Sequence, residues 1–189
     1  TPQPIPMEVP VSHSLFSALR ANADAAGGIT GLRLAEICEI TEEGYILRWL
    51  SGPVRSLSAP ARAASFMAGA ERGAYFPAEV GDEVIVGFID GHLDQPVILG
   101  ALWSDQDQPP PGADTSSTNN TRMIRSREGS VLTFDDTVGK TRVVLKSAGG
   151  IEILMEDSPP KLTLKLDGST KIELSAAGVT VVGTKINLN

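Results

Sequence analysis

Leu162-Thr163-Leu164-Lys165-Leu166, Ile172-Glu173-Leu174, Val179-Thr180-Val181 and Ile186-Asn187-Leu188 set apolar side chains at every second position with polar ones between them. That period of two belongs to a strand with one face turned to a core and the other to water. Turn residues punctuate the same region at Gly139, Gly149, Pro159-Pro160, Gly168 and Gly178, and no aromatic residue follows Phe134. One chain of short strands with a thin row of Leu, Ile and Val has no further sheet or helix to cover that row. Left open, it would be an aggregation hazard. Three identical chains wound about a common axis remove the problem, because each turns its row inward and slim aliphatic side chains suit a narrow interior. Residues 121–189 are therefore expected to form an intertwined triple-stranded β-helix, or β-prism. Its core would be Leu162, Leu164, Leu166, Ile172, Leu174, Val179, Val181, Ile186 and Leu188. Thr163, Lys165, Glu173 and Thr180 would face water, and homotrimerisation would be a condition of folding.

N-terminal to this region, Asp105–Asn120 runs through Pro109-Pro110-Pro111 into Gly, Ser, Thr and Asn. It has little apolar surface to bury, and consecutive prolines favour an extended linker over 105–120. Before it, Leu32–Ile40 and Tyr45–Leu50 flank the hairpin loop Thr41-Glu42-Glu43-Gly44. Ala61–Met67, Glu83–Ile89 and Val97–Trp103 follow as further strand candidates. Five short strands over residues 31–104 predict a small closed barrel of the OB type, whose edges are paired away by closure. Residues 1–30 read as a proline-rich arm and a short helix over Ser12–Ala26. Leu15, Phe16 and Leu19 share one face of it, and Gly27-Gly28 stops it. That helix either packs on its own domain or docks on another protein. The fold class is thus all-β, apart from that helix.

Charge divides the chain at the same place. Residues 1–118 hold six arginines, no lysine and fifteen carboxylates, a net −9, whereas residues 119–189 carry +2 and all six lysines. A single-strand-binding OB groove needs cations and stacking aromatics, so the acidic barrel argues against nucleic acid. No apolar run approaches the roughly 18 residues that cross a bilayer, and Thr1–Pro10 does not read as a secretory leader. Cys38 stands alone in an apolar stretch and reads as a buried structural thiol. The chain is expected to be made in the cytoplasm without a signal peptide.

Ala70-Glu71-Arg72-Gly73-Ala74-Tyr75-Phe76-Pro77-Ala78-Glu79-Val80-Gly81-Asp82-Glu83-Val84-Ile85-Val86-Gly87-Phe88 resembles the barrel of the spike proteins of contractile injection machines. These are the phage baseplate protein V type and the valine–glycine-repeat protein of type VI secretion. Asp90-Gly91, Gln95-Pro96-Val97-Ile98-Leu99-Gly100 and Leu102-Trp103 continue the likeness in order. Ile124-Arg125-Ser126-Arg127-Glu128-Gly129, Phe134-Asp135-Asp136-Thr137 and Gly183-Thr184-Lys185-Ile186-Asn187-Leu188 look like the family's entry into its β-helix. The motif residues Gly81, Asp82, Gly91, Pro96, Gly100 and Trp103 belong to turns, a strand start, and a bulge or close packing at Gly100.

The resemblance implies a structural spike in a phage tail, tailocin, type VI apparatus or extracellular injection particle, acting at or outside the cell envelope. It implies a trimeric hub protein at the barrel end, because only some 30 residues precede the barrel. It also implies a small PAAR-repeat-type tip protein at the C-terminal end, because no histidine apex closes the prism. Contact with the target membrane would be transient. A trimeric tail-fibre or adhesin segment is one alternative, against which the barrel motif speaks, and an OB-fold oligonucleotide- or oligosaccharide-binding module is the other.

No reactive constellation emerges. His13 and His92 have no second His or Cys at ligand spacing and read as exposed structural residues. Asp135 and Asp136 are neighbours on a strand and point to opposite faces, which suits capping and not shared acid–base work. Gly27-Gly28 and Gly149-Gly150 lack the lysine and helix of a phosphate loop. The expectation is a protein with no catalytic site, cofactor or metal.

Overall fold

A computed structural model describes residues 29, 31–53 and 56–187. The N-terminal arm, the expected helix, His13 and Leu188 lie outside these residues. The described residues are all-β apart from one 3-10 turn at Ile89–Gly91. The chain divides into two compact units, residues 1–108 and 109–189.

In the first unit, β1 (Arg33–Thr41) and β2 (Gly44–Trp49) form a hairpin. β3 (Arg62–Ala63) is short and leads into a small hairpin of β4 (Ala68–Gly69) and β5 (Arg72–Gly73). β6 (Glu83–Phe88) and β7 (Pro96–Ala101) complete a sheet ordered β2-β1-β6-β7-β3. β3 runs parallel to β7, and Ala61 just before it bridges Tyr45 of β2, so the sheet closes on itself. This is the OB order, with the third and fifth barrel strands parallel.

Alternation along the strands sends Ala35, Ile37, Leu47, Trp49, Val84, Val86 and Ile98 inward with Ala61. Trp49 and Phe88 lie 5.6 Å apart, and the Arg33 guanidinium sits over both rings. The closure depends on Gly44: its φ is +139°, and a Cβ there would come within 2.5 Å of the Ala61 carbonyl oxygen.

The third barrel strand is shorter than the expected Ala61–Met67. The chain leaves the ladder after Ala63 because the Ser65 hydroxyl donates to Ala74 O (2.7 Å) and Met67 O (3.1 Å), tying off the base of the β4–β5 arm. That arm exposes Phe66, Tyr75 and Phe76, with Phe66 and Phe76 stacked 6.4 Å apart.

The second unit is a seven-stranded antiparallel meander. Its strands are β8 (Thr121–Arg125), β9 (Val131–Asp135), β10 (Arg142–Lys146), β11 (Glu152–Asp157), β12 (Pro160–Lys165), β13 (Lys171–Ser175) and β14 (Gly178–Val182). Each strand pairs with the next in sequence, so the ladders from β8 to β14 form within one chain. An intertwined arrangement would instead draw ladder partners from other chains. Seven strands about 4.8 Å apart make a slab about 30 Å long.

The proline-rich segment is not simply extended. Ser104 Oγ accepts from Gln106 N and Asp107 N, and Ala113 N donates to Pro110 O around Gly112. Asp114 then accepts from Ser116 N (2.9 Å) and Asn120 N (2.8 Å), as well as from the Ser116 and Thr118 hydroxyls. Small polar side chains fold the backbone locally there, where apolar burial cannot.

Candidate functional site

The strand register decides what each face of the meander presents. Ile124, Leu132, Leu145, Ile153, Leu164, Ile172 and Val181 stand directly opposite one another from β8 to β14. Beside this row runs a second, Arg122, Phe134, Val143, Met155, Leu162, Leu174 and Val179. Together they make one apolar face, two side chains wide and seven strands long, broken only by Arg122. It is open: Leu145 is 48% exposed, Leu164 and Ile172 38%, and Val179 67%. Arg122 does not project bare, since its Nη1 reaches Asp136 Oδ2 (3.2 Å) and Asn119 O (2.6 Å).

Six of the nine expected core residues lie on this face: Leu162, Leu164, Ile172, Leu174, Val179 and Val181. Leu166 and Ile186 instead sit beyond the strand ends, in the turn after β12 and in the tail after β14. Sequence reading missed Ile124, Leu132, Phe134, Val143, Leu145, Ile153 and Met155. Runs such as Val143-Val144-Leu145 and Ile153-Leu154-Met155 are apolar on both faces, which hides the period of two. The face also holds Phe134, so it is not purely aliphatic.

The opposite face is charged and largely self-neutralised along one margin. Arg142 pairs with Asp135 (3.0 Å), and Lys161 with Glu156 (2.8 Å). The Thr137 hydroxyl, and then its N–H, hold Asp135 below the usual carboxylate range, with Arg142 adding less. The hydrogen bond to Glu156 pushes the Lys161 ammonium up. Thr163, expected to face water, is buried at 8% exposure. It occupies the middle row of this face between Leu154 and Glu173, and its own β12 neighbours on that face are Lys161 and Lys165. Long charged side chains there cover their neighbours with their stems.

Three turns share one long margin of the slab: residues 126–130, 147–151 and 166–170. Ser126 Oγ accepts from Ser130 N and Ser147 Oγ from Ile151 N, with Gly129 and Gly150 at positive φ. Asp167 takes over that task in the third turn, accepting from Ser169 N and Thr170 N at 2.7 Å. Ala148 N donates to Ser130 Oγ, linking one turn to the next.

In the barrel, Gly81 (φ +100°) and Gly91 (φ +76°) occupy turns, and Asp82 Oδ2 accepts from Glu79 N. Pro96 starts β7 opposite Phe88. Gly100 flanks a register shift, where Ile85 pairs with Gly100 but Val86 with Ile98. A Cβ there would meet nothing within 4 Å, so the bulge and not close packing explains it. Trp103 is 67% exposed. Among the described residues no group of three or more His, Cys, Asp or Glu side chains gathers as metal ligands do, and no helix is long and apolar enough to cross a membrane. Asp135 and Asp136 are engaged in capping and pairing with Thr137, Arg142 and Arg122. The arrangement offers surfaces for assembly.

The described residues thus form a closed OB barrel with the motif turns in place and, later in the sequence, a β-sheet slab with one bare face. Residues 47–103 match the type VI secretion system/phage-baseplate injector OB domain. It is similar to the type VI secretion system spike protein VgrG2a of Pseudomonas aeruginosa, 31% identical over 96 residues that cover 49% of this chain and 11% of the relative. The spike protein VgrG3 of Vibrio cholerae is 30% identical over 98 residues, covering 50% and 10%. The actin cross-linking toxin VgrG1 of the same species is 30% identical over 93 residues, covering 48% and 8%. The chain spans about a tenth of the length of these relatives.

Proposed function

We propose that this chain is the central spike segment of a contractile injection machine, and that three copies assemble by burying their apolar sheet faces against one another about a shared axis. The observation that carries this reading is the open face running across β8 to β14, backed by a charged face that pairs its ions along one margin. A monomer would leave both apolar rows in water, and a closed ring of three covers them without leaving a free copy of the face. Because each slab satisfies its own ladders, assembly takes the form of three sheets packed face to face. Rigidity then comes from in-chain ladders together with a shared core.

The barrel unit would seat on a trimeric hub and inner tube, and a PAAR-repeat-type tip protein would cap the C-terminal end. Sheath contraction would supply the work that drives the assembly through the target envelope, with this chain transmitting force. The acidic barrel speaks against nucleic acid as its partner, since ten carboxylates among its described residues would repel phosphate.

Light scattering on the purified chain is the test. The expected mass is three times 19.9 kDa. Ile172→Asp puts a charge in the middle of the face between Leu164 and Val181 and should cost about 3–5 kcal/mol per buried site, enough to abolish the trimer. Thr180→Lys, on the other face opposite Glu173, should leave the mass unchanged. A monomeric wild-type chain, or a trimeric Ile172→Asp variant, would overturn the reading.

A further inference from the structure

The barrel unit carries a slot that the packing of sheet faces would not use. It sits over the closure of the barrel, where Tyr45 N donates to Ala61 O (2.9 Å) and Ala61 N to Tyr45 O (2.8 Å). One wall is the β1–β2 turn, which the Thr41 hydroxyl pins by donating to Gly44 O (2.9 Å). Another is the segment that returns from the β4–β5 arm through Tyr75, Phe76 and Pro77, held by the Ser65 hydroxyl at Ala74 O (2.7 Å). The slot encloses about 370 Å³, a size that suits a small ligand or a few units of a longer one. Hydrogen bonds of the barrel itself fix both walls, so the site is formed before anything enters it.

Three features of the lining restrict what can enter. Alanines at 61, 63, 64 and 74 leave much of the surface to backbone and methyl groups, with no hole for an anchoring side chain. The Tyr75 and Phe76 rings stand open, at 86% and 66% exposure. The turn contributes Glu42 and Glu43, whose carboxylates have no ion-pair or hydrogen-bond partner among the described residues, and Arg62 is the one cation in the lining.

From this combination we infer that the slot between the Thr41–Gly44 turn and Tyr75-Phe76 binds the sugar rings of an oligosaccharide that carries no acidic groups. The face of an aromatic ring is its electron-rich side, and it attracts the C–H bonds that one face of a pyranose presents. An ionised carboxylate is an acceptor only, with two oxygens to receive hydroxyl groups, and hydrogen bonds to it are of the stronger kind. A sugar ring offers both surfaces, C–H on its faces and O–H around its rim. Single-stranded nucleic acid would also stack, but its phosphates would meet Glu42 and Glu43 in the part of the chain, residues 1–118, that carries −9. An extended peptide gains its specificity from pockets for alternate side chains, and the alanines leave none. The loop between the first two barrel strands, with the face of the second and third, is also where OB barrels take oligosaccharides. The slot belongs to the barrel alone, so this binding is independent of how copies pack through the sheet.

Titration calorimetry of the full chain with soluble sugar tetramers tests this. Cellotetraose or chitotetraose, both uncharged, should bind, and tetragalacturonate, of the same length but acidic, should not. Stacking on one aromatic ring contributes about tenfold in affinity, so Tyr75→Ala with Phe76→Ala should weaken binding on the order of a hundredfold. Glu42→Gln with Glu43→Gln should weaken the uncharged tetramer about tenfold and narrow the gap between it and tetragalacturonate. Trp103→Ala removes an equally open ring of the barrel outside the slot and should bind as wild type. Circular dichroism and light scattering on each variant check that fold and mass are unchanged. No binding of either uncharged tetramer, an equal loss in Trp103→Ala, or tighter binding of an oligonucleotide or an arginine-rich peptide than of the sugars would overturn the assignment. A fall in mass in the Tyr75→Ala, Phe76→Ala variant would overturn it too, by giving the two rings to contact between copies.

Discussion

At the scale of single residues, Gly44 shows how one position can hold a barrel closed. The β1–β2 turn requires φ +139°, and the approach of Ala61 O to 2.5 Å from where a Cβ would sit leaves no room for a side chain. Both demands fall on the strand that bridges to Ala61, the contact that turns an open sheet into a closed one. Gly44→Ala should therefore lower barrel stability by about 2 kcal/mol and its thermal midpoint by roughly 10 °C. Gly100→Ala is the control, since open space surrounds that position, and circular dichroism melting of both variants decides. A loss of equal size in Gly100→Ala would show that closure at Gly44 is not the cause. The sequence placed Gly44 in a turn. It could not show the Ala61 carbonyl, which arrives from a segment distant in sequence.

At the scale of elements, local chemistry made the barrel strands readable and long-range register hid half of the apolar face. Strands bounded by Gly, Pro and Asp turns stood out, and four of the five barrel strands fall within a residue or two of where alternation put them. The third did not, because the Ser65 hydrogen bonds that end it are tertiary in effect and carry no periodicity. In the sheet unit, alternation from Leu162 onward gave part of the apolar face. The other half lay in strands apolar on both sides, whose outer residues, Val144 and Leu154, are sheltered by neighbouring charged side chains. Arg33 over Trp49 and Phe88 was equally invisible, since nothing in its local sequence announces an aromatic partner.

The turns themselves yield a pH prediction. Asp114 is held well below the usual carboxylate range, first by the Ser116 hydroxyl and then by Asn120 N–H. Asp167 is lowered by Ser169 N–H, the Ser169 hydroxyl and Thr170 N–H, and Asp135 by Thr137. All three titrate lower folded than unfolded, so the stability they contribute is full above about pH 5. It is lost as pH falls below about 4 toward the folded values. The melting temperature of the chain should hold from neutrality to that point and then drop. Asp114→Asn with Asp167→Asn should melt lower at pH 7 and show a shallower acid fall; an unchanged acid slope would count against these turns.

At the scale of the whole molecule, the two units differ in what they lack. The barrel has a complete core in Ala35, Ile37, Leu47, Trp49, Ala61, Val84, Val86 and Ile98, so nothing in its interior calls for another copy. Among the described residues of the sheet unit, Thr163 is the one that counts as buried, while apolar side chains stand open along both rows. If the proposed assembly supplies this sheet with its core, folding and assembly of the second unit should be one transition, dependent on protein concentration. The barrel should unfold independently of concentration. Removing residues 119–189 separates the two demands. The truncated chain should give the circular dichroism of a folded barrel and the light-scattering mass of a monomer. The competing source of association is the β4–β5 arm, where Phe66 and Tyr75 are each 86% exposed and Phe76 is 66% exposed. If that arm rather than the sheet face joined the copies, the truncated chain would remain trimeric, and Phe66→Ser with Phe76→Ser would dissociate it. A trimer that survives truncation would thus transfer the driving force from the sheet to the barrel, whereas a folded monomer leaves the apolar face across β8 to β14 as the element that holds three copies together.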